Sequence, residues 1–503
     1  MVPMVIRKPG WRKMWHAAPI LLATLQLPAL SAQQPGEISY RDVSTMPDGV
    51  LGERIRSVIE TLNAGSPQAV RRFLEQECTD RFRNFAPMED HLDAFLSVHR
   101  QWGSVQFHGI RTYEPPRPNQ TIVILKDSNF GAWRAFVVQL DEASGNRVAS
   151  LSLTDARVPT NVTEAGISQP SLVQQTSELV ERVCQQDIFS GTVLVAKGDE
   201  VLYSQACGEA SKRFHVANNI DTKFNLGSMN KMFTATAINQ LVEQGVLAYD
   251  ETIDAYVDES WLPQGVTSKI TIHHLLTHTS GLGSYFNETY WNGSRQLYRD
   301  VNDFKPMVRS EQLAFEPGAR FRYSNTGMLL LGVVIENATG ESYFDYIREN
   351  IYEPAGMVNS DSYEMDFPVE NLAIGYIRAR DSEYGWENNL YKHVIKGGPA
   401  GGGFSTVTDM YRFARALETG KLVSRESLEL MWTDHSGDAY GYGFSVAEGA
   451  AGKVVGHGGG FPGLNSNLDI FIDSGYVVVV MSNYDEGASP VARQISTLIG
   501  RVN

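Results

Sequence analysis

The sequence predicts an α+β protein with two folded parts. Within residues 39–159, stretches with the apolar spacing of helices are followed by four strand-like segments. Within residues 172–503, strand-like segments lie at both ends, and the middle is mainly helix and loop. Residues 160–171 are mostly polar and predict a linker. We therefore expect a small N-terminal α+β domain followed by one larger domain.

The composition excludes some classes of protein. The chain has 503 residues, of which 42% are hydrophobic and 20% are charged. These values are typical of globular proteins and exclude a fully disordered chain. Lys plus Arg number 43 against 58 Asp plus Glu, which gives a net charge of −15. We expect no nucleic-acid partner, because phosphates require a basic surface.

Residues 1–32 predict a secretory signal peptide. Basic residues at positions 7, 8, 12 and 13 precede an apolar run over residues 17–30, and residues 29–32 offer small side chains for cleavage. The run is shorter than a membrane-spanning helix needs, and no later stretch is long and apolar enough. We expect an exported protein, periplasmic or extracellular, with no span after cleavage. The alternative is an uncleaved N-terminal anchor.

The three cysteines, Cys78, Cys184 and Cys207, fit no zinc or redox pattern. Export would permit a bridge between Cys184 and Cys207. Buried free thiols are the interpretation that we favour.

The N-terminal part predicts helices around residues 55–62, 68–76 and 91–100 and strands around 105–113, 121–126, 133–140 and 148–153. The order of these elements resembles that of the cone-shaped NTF2-like group. We expect this accessory domain to mediate self-association or to bind a partner.

The larger part begins with a predicted amphipathic helix, residues 172–185, and a hairpin whose strands are joined by Gly198 and Asp199. It ends with strands at 468–472 and 476–481 and a helix at 490–499. The simplest closure is one antiparallel sheet built from both ends, covered by the terminal helices, with a helical lobe beside it.

Ser228 lies one helical turn before Lys231, at the start of a helix predicted over residues 232–245. An amine beside a hydroxyl can take its proton if burial keeps the amine neutral. The helix N-terminus would stabilise negative charge that forms nearby. No other serine has a lysine three residues later, and the Gly-x-Ser-x-Gly motif of α/β-hydrolases is absent from the sequence. The pair is therefore a candidate nucleophile and base, although a capping serine beside a surface lysine would give the same pattern.

Tyr323 and Asn325 follow a Pro-Gly turn and precede a helix predicted over residues 328–336. A tyrosine can shuttle a proton to a leaving group, and an asparagine can bind substrate amides. Tyr285 and Tyr290 each also stand two residues before an asparagine, but the turn and the helix favour Tyr323. Tyr285, Tyr290 and Trp291 either line a substrate pocket or pack in the core.

Residues 456–463 are rich in glycine and contain His457. Glycines allow a substrate to approach backbone N–H groups, which together with the N–H of Ser228 could form an oxyanion hole. The alternative is a flexible turn. It is not a phosphate-binding P-loop, since no Gly-Lys-Ser/Thr follows.

These three elements, in this order, resemble the serine β-lactamase and penicillin-binding-protein superfamily, in particular its class C-like branch. Residues 270–282 and 402–410 also look similar to that branch, and the resemblance covers roughly residues 172–500. It implies a β-lactamase/transpeptidase-like antiparallel sheet flanked by helices, with a helical lobe and no cofactor. It also implies roles for named residues: Ser228 as nucleophile, Lys231 as base, Tyr323 as general acid/base, His457 in the third motif, Ser228 and Gly460 as the oxyanion hole, and Asn325, Gly458 and Gly459 at the substrate.

His457 stands where many family members carry Lys-Thr-Gly. Histidine is mostly neutral at neutral pH, so the electrostatic preference for a substrate carboxylate is weakened. This departure resembles the esterase and D-aminopeptidase members. We therefore expect cleavage of an ester or a small amide or peptide bond through an acyl-enzyme on Ser228. The alternatives are a class C-type β-lactamase, a D-alanyl-D-alanine carboxypeptidase, and a non-catalytic binding or regulatory protein.

The histidines at 273, 274 and 278 do not indicate a metal site. Although His274 and His278 are four residues apart, no further ligand is evident. We expect structural roles for them and no bound metal.

Overall fold

The computed structural model describes residues 39–115, 117, 120–379 and 382–503. These residues form two compact units that divide between Thr163 and Glu164, within the segment predicted as a linker. The predicted signal peptide, residues 1–32, lies outside the described residues.

The first unit contains a five-stranded antiparallel sheet and a group of helices. Its helices are Gly49–Ala64 (α1), Pro67–Glu77 (α2), Asp80–Arg83 (α3) and Met88–Trp102 (α4). Its strands are Ser39–Val43 (β1), Val105–Glu114 (β2), Thr121–Asp127 (β3), Trp133–Asp141 (β4) and Arg147–Asp155 (β5), in the spatial order β1-β2-β3-β4-β5. The helices precede a meander, as the spacing of apolar residues predicts.

Strand β1 is the element of this unit that the sequence does not signal. Its segment, Ser-Tyr-Arg-Asp-Val, has little apolar character, and it pairs with β2 at the edge of the sheet. A buried ion pair holds it there, with Arg111 Nε 2.9 Å from Asp42 Oδ1. Strand β1 is therefore held by an ion pair with a residue 69 positions away in the sequence, rather than by an apolar pattern of its own.

The second unit carries the remaining elements. Its strands are Gly191–Lys197 (β6), Glu200–Cys207 (β7), Glu209–Ser211 (β8), Val216–Ala217 (β9), Phe224–Asn225 (β10), Tyr376–Arg378 (β11), Trp386–Asn388 (β12), Phe404–Ser405 (β13), Ser445–Gly449 (β14), Gly452–Phe461 (β15), Leu464–Phe471 (β16) and Tyr476–Ser482 (β17). Its helices are Gln169–Gln185 (α5), Asn230–Glu243 (α6), Ile272–Leu276 (α7), Glu288–Asn292 (α8), Lys305–Val308 (α9), Asn325–Thr339 (α10), Tyr343–Ile347 (α11), Glu353–Ala355 (α12), Val407–Glu418 (α13), Arg425–Met431 (α14) and Ala488–Ile499 (α15).

One six-stranded sheet joins the two ends of this unit, in the order β14-β15-β16-β17-β6-β7. Strand β17 pairs with β6 from Tyr476 opposite Lys197 to Ser482 opposite Gly191, and all of its residues are buried. Burial on both faces explains its unbroken run of valines. The prediction of a single antiparallel sheet from both chain ends is confirmed.

Helices cover this sheet and form the lobe beside it. α5 and α15 pack together and contact the sheet strands, and α13 packs on β17 and β6. In the lobe, α6 is buried from Asn230 to Leu241, and α10 is buried from Thr326 to Ile335. α10 is mostly apolar, as a helix buried in a core is. The buried stretch of α6 also carries polar residues, among them Asn230 and Lys231.

The favoured prediction, that the cysteines are buried free thiols, is wrong for Cys184 and Cys207. Cys184 and Cys207 form a bridge between the end of α5 and the end of β7, and only Cys78 is a free, buried thiol among the described residues. The two half-cystines are 23 residues apart, and neither carries a local signal of pairing. In the described part of the chain, no helix has the length and apolar character to cross a bilayer.

Candidate active site

Ser228 lies where the sheet meets the helical lobe. It stands in a turn of 3₁₀-helix, Gly227–Met229, that follows β10 and leads directly into α6. The residues on either side of it are buried, whereas Ser228 itself is partly exposed. The serine is therefore rigidly held and still open to a substrate.

Gly227 permits a close approach between this turn and β15. Its φ is +51°, a left-handed conformation that favours glycine, and a Cβ there would lie 2.9 Å from the backbone N of Gly460. Ser228 and Gly460 line the same cavity. The two residues that the family resemblance assigns to an oxyanion hole therefore lie at one site, on different elements.

Lys231 is completely buried beside Ser228. Its Nζ lies 3.0 Å from Ser228 Oγ, 2.9 Å from Asn325 Oδ1 and 2.5 Å from the carbonyl oxygen of Ala400. Burial lowers the pKa of Lys231 well below its ordinary range, and no charged neighbour among the described residues offsets this effect. The amine therefore loses its proton more readily than an ordinary lysine.

The contacts of Lys231 also orient its lone pair. The oxygens of Ala400 and Asn325 can only accept hydrogen bonds, so they take the two N–H groups of the neutral amine. The third direction at Nζ, where the lone pair lies, is left for Ser228. A neutral Lys231 is thus arranged to accept the hydroxyl proton of Ser228.

Tyr323 approaches Ser228 from a different element, immediately before α10. Lys231 Nζ lies 4.9 Å from the centroid of the Tyr323 ring. Although 37% of the residue is exposed, desolvation around it raises the pKa of Tyr323, and the neighbouring side chain of Ser228 opposes the increase. Tyr323 therefore keeps its proton at neutral pH and can donate it.

His457 is buried on β15 in its neutral form. Its Nδ1 lies 2.5 Å from the carbonyl oxygen of Gly458, and its Nε2 lies 3.0 Å from the hydroxyl of Tyr440. A carbonyl can only accept, so Nδ1 carries the proton and Nε2 accepts from Tyr440. Burial is the main cause that lowers the pKa of His457 to about 3. The histidine offers no cation to a substrate carboxylate.

Tyr440 and His278 complete the packing behind Tyr323. The His278 ring centroid lies 4.4 Å from that of Tyr323 and 4.7 Å from that of Tyr440. His278 is fully buried, its φ is +57°, and its Nδ1 accepts the backbone N–H of Ser324. Neither residue is predicted from the sequence to take part in the site. Tyr440 has no local motif, and His278 is signalled only by its place in residues 270–282.

A cavity of about 450 Å³, including its open solvent, lies next to Ser228. Residues from four chain segments (225–228, 285–290, 325 and 393–402) and from the β15–β16 hairpin line it. None of the lining residues is Asp, Glu, Lys or Arg, and burial lowers the pKa of His393 to about 4, so its ring is uncharged at neutral pH. Its aromatic and larger aliphatic lining side chains are those of Tyr285, Phe286, Tyr290, Val394, Phe461 and Leu464.

The predicted site residues divide between the cavity and the layer around it. Ser228, Asn325 and Gly460 line the cavity, whereas Gly458 and Gly459 are not among its lining residues. A Cβ on Gly459 would lie 1.9 Å from the carbonyl oxygen of Leu226, so this glycine serves close packing behind Ser228. Tyr285 and Tyr290 line the cavity and are also buried in the core, so each of the two alternatives describes part of their surroundings. The described residues contain no cluster of three or more groups suited to a metal ion.

Comparisons with known proteins agree with the fold of the second unit. The Beta-lactamase family model matches residues 171–498. "Penicillin-binding protein 4*" of Bacillus subtilis (strain 168) is 33% identical over 325 residues, which span 61% of this chain and 71% of that protein. Esterase EstB of Burkholderia gladioli is 32% identical over 213 residues, 39% of this chain and 53% of the esterase. The crystal structure of a penicillin binding protein from Bacillus halodurans superimposes with a TM-score of 0.58 at 32% identity, covering 63% of this chain and 99% of that one.

Proposed function

This chain belongs to the Beta-lactamase family, and from that premise we propose that it is an exported serine hydrolase that cleaves an ester or a small amide through an acyl-enzyme on Ser228. The observation that carries the proposal is the buried Lys231 amine, 3.0 Å from Ser228 Oγ and oriented by two carbonyl-type acceptors. A lysine buried without a counter-ion is costly, and a catalytic role gives it a reason.

The proposed reaction begins as Ser228 Oγ attacks the substrate carbonyl carbon while its proton moves to Lys231 Nζ. The carbonyl oxygen takes the negative charge and accepts hydrogen bonds from the N–H groups of Ser228 and Gly460. Tyr323 then donates its proton to the departing alkoxide or amine, and Lys231 returns a proton to Tyr323. Water finally hydrolyses the acyl-enzyme, which releases the acid and restores the hydroxyl of Ser228.

The neutral His457 supports esters and uncharged amides over substrates that end in a carboxylate. Both nitrogens of its ring are occupied, and its pKa of about 3 keeps it uncharged at any ordinary pH. The β-lactamase and D-alanyl-D-alanine carboxypeptidase alternatives both require recognition of such a carboxylate. A non-catalytic binding role is disfavoured because serine, lysine and tyrosine are all present and close together around Lys231.

Export is part of the proposal. The Cys184–Cys207 bridge supports it, because disulfides form and persist in oxidising compartments. The predicted signal peptide points the same way.

Steady-state hydrolysis of nitrophenyl butyrate by purified variants tests the proposal. We expect Ser228→Ala to reduce the rate to that of buffer and Lys231→Met to reduce kcat by about 10²–10⁴-fold, the usual contribution of a general base. Lys223→Met is the matched control, since Lys223 is also buried and donates to the carbonyl of Glu370 away from the site. Turnover of the Ser228→Ala protein at the wild-type rate would exclude the mechanism.

A further inference from the structure

Two loops line part of the cavity beside Ser228. The first loop, around residues 285–299, supplies Tyr285, Phe286 and Tyr290. The second loop, around residues 392–395, supplies His393 and Val394. Neither loop places a charged side chain on the cavity surface. A substrate group that fills this space therefore exchanges water for apolar contact, which favours uncharged groups.

The first loop is also attached to the β15–β16 hairpin by aromatic stacking. The rings of Trp291 and Phe461 are nearly parallel, at 4°, with centroids 6.0 Å apart. Phe286 packs on the same Phe461 ring at 5.3 Å. These contacts fix one side of the cavity against the strand that carries Gly460.

Arg295 connects the two loops to each other. Its guanidinium donates to the carbonyl of Tyr290, to that of Gly293 at 2.6 Å and to that of Trp291 at 3.1 Å, all in the first loop. Its Nε donates to the carbonyl of Lys392 in the second loop at 3.3 Å. The backbone of Arg295 adds another link, because its carbonyl accepts the N–H of Ile395.

The chemistry of Arg295 is unusual for a surface-loop arginine. Its guanidinium carbon lies 4.2 Å from the Tyr290 ring centroid, and it takes part in no ion pair found among the described residues. By contrast, Arg299 in the same loop binds the carboxylates of Glu364 and Asp366. A planar fork of five donors can hold several carbonyls at once, and a lysine cannot reproduce that geometry.

We propose that Arg295 is the positioning residue that sets acyl-group selectivity, by holding together the two loops of a pocket for an apolar acyl group larger than acetyl. This inference rests on the proposed function. The cavity is assigned to the acyl side because Tyr323, the proposed acid for the leaving group, does not line it. The favoured substrates are accordingly esters or amides of uncharged aliphatic or aromatic acids.

The test compares kcat/KM for nitrophenyl acetate, butyrate and phenylacetate. For the wild type we expect butyrate and phenylacetate to be preferred over acetate. Arg295→Lys and Arg295→Met should reduce that preference by about tenfold, the range in which an apolar pocket discriminates by a few methylene groups. Turnover of acetate should stay within the same order of magnitude. Arg299→Lys is the matched control and should leave the preference unchanged.

A second variant tests the pocket without touching Arg295. Val394→Phe narrows the cavity and should reduce turnover of butyrate and phenylacetate more than turnover of acetate. If the Arg295 variants lose activity equally for all three esters, the role of Arg295 is merely structural and the inference is overturned. An unchanged acyl preference in Arg295→Lys, Arg295→Met and Val394→Phe would overturn it as well.

Labelling of Ser228 by a fluorophosphonate probe separates this inference from the proposed function. If the wild-type protein is not labelled, the proposed function fails. If the wild type and the Arg295 variants are labelled and active but show the same acyl preference, the assignment of Arg295 fails alone.

Discussion

Lys231 is the central residue of the proposed mechanism, because its burial and its three hydrogen-bond partners would set the reactivity of Ser228. The amine has no counter-ion within the described structure, so it is deprotonated far more readily than a surface lysine. His457 and His278 lie close to it and are themselves neutral, since burial lowers the pKa of each. The ionisation of Lys231 is therefore the one on which the proposed reaction depends among these three groups.

This arrangement predicts the pH dependence of kcat/KM. The active form has a neutral Lys231, so the rate should rise as pH increases through the lowered pKa of that lysine and should level off below the ordinary lysine range. His457 should add no inflection between pH 5 and 8, because its pKa is about 3. Rates measured from pH 4 to 10 on the wild type and on His457→Asn should show the same inflection, even if the variant is slower. An inflection near pH 6.5 that disappears in His457→Asn would contradict this account.

At the scale of elements, the site depends on how closely β15 approaches the turn before α6. Gly459 faces the carbonyl of Leu226, and the hydroxyl of Ser466 donates to the same carbonyl at 2.7 Å. Gly460 then lies against Gly227. The proposed oxyanion site thus depends on glycines that let a strand and a turn pack backbone to backbone.

Two neighbouring glycines test this packing. Gly459→Ala should destabilise the protein by about 1–3 kcal/mol, the usual cost of overpacking, because its Cβ would lie 1.9 Å from the Leu226 oxygen. Gly458→Ala should be tolerated, since its Cβ would meet nothing closer than 3.6 Å. Urea unfolding of both variants measures the difference. Equal stability of the two proteins would show that the close contact is not essential.

The elements with strong local patterns are the ones that the sequence predicts. The β6–β7 hairpin, the β16–β17 pair and the helices α5, α6 and α15 all follow from apolar periodicity and turn residues. The Ser228–Lys231 contact follows from helical spacing. Tyr440, by contrast, reaches His457 from a loop that Asp434 holds through hydrogen bonds to its backbone. Such a contact depends on the folded loop and leaves no spacing to detect.

The same reason explains the other omissions. Ala400 contributes a backbone carbonyl, which any residue type could supply. Arg295 also acts on backbone carbonyls, so its partners cannot be identified by residue type. The Cys184–Cys207 bridge joins two elements whose proximity appears only once the sheet has formed.

At the scale of the whole molecule, the catalytic machinery belongs to one unit. Every residue that lines the cavity or contacts Lys231 lies in the second unit, residues 164–503. Each unit has a hydrophobic core of its own, one built on α1, α2 and α4 and the other on the lobe and the main sheet. The first unit is therefore an accessory to the proposed reaction.

A chain that begins at Glu164 should accordingly keep ester hydrolysis. We expect its kcat/KM for nitrophenyl butyrate to remain within the same order of magnitude as that of the longer protein, because no catalytic group is removed. Circular dichroism should establish that the shortened protein is folded. Loss of activity in a folded protein would show that the first unit shapes the site.

The central claim, an acyl-enzyme on Ser228 formed by a neutral Lys231, is tested most directly by mass spectrometry of the protein quenched in acid during turnover of nitrophenyl butyrate. The account predicts a mass increase of one butyryl group, located by peptide mapping on Ser228, present in the wild type and absent from Ser228→Ala. Lys231→Met should accumulate it far more slowly. A butyryl group on another residue, or turnover with no covalent intermediate at any quench time together with full activity of Ser228→Ala, would contradict it.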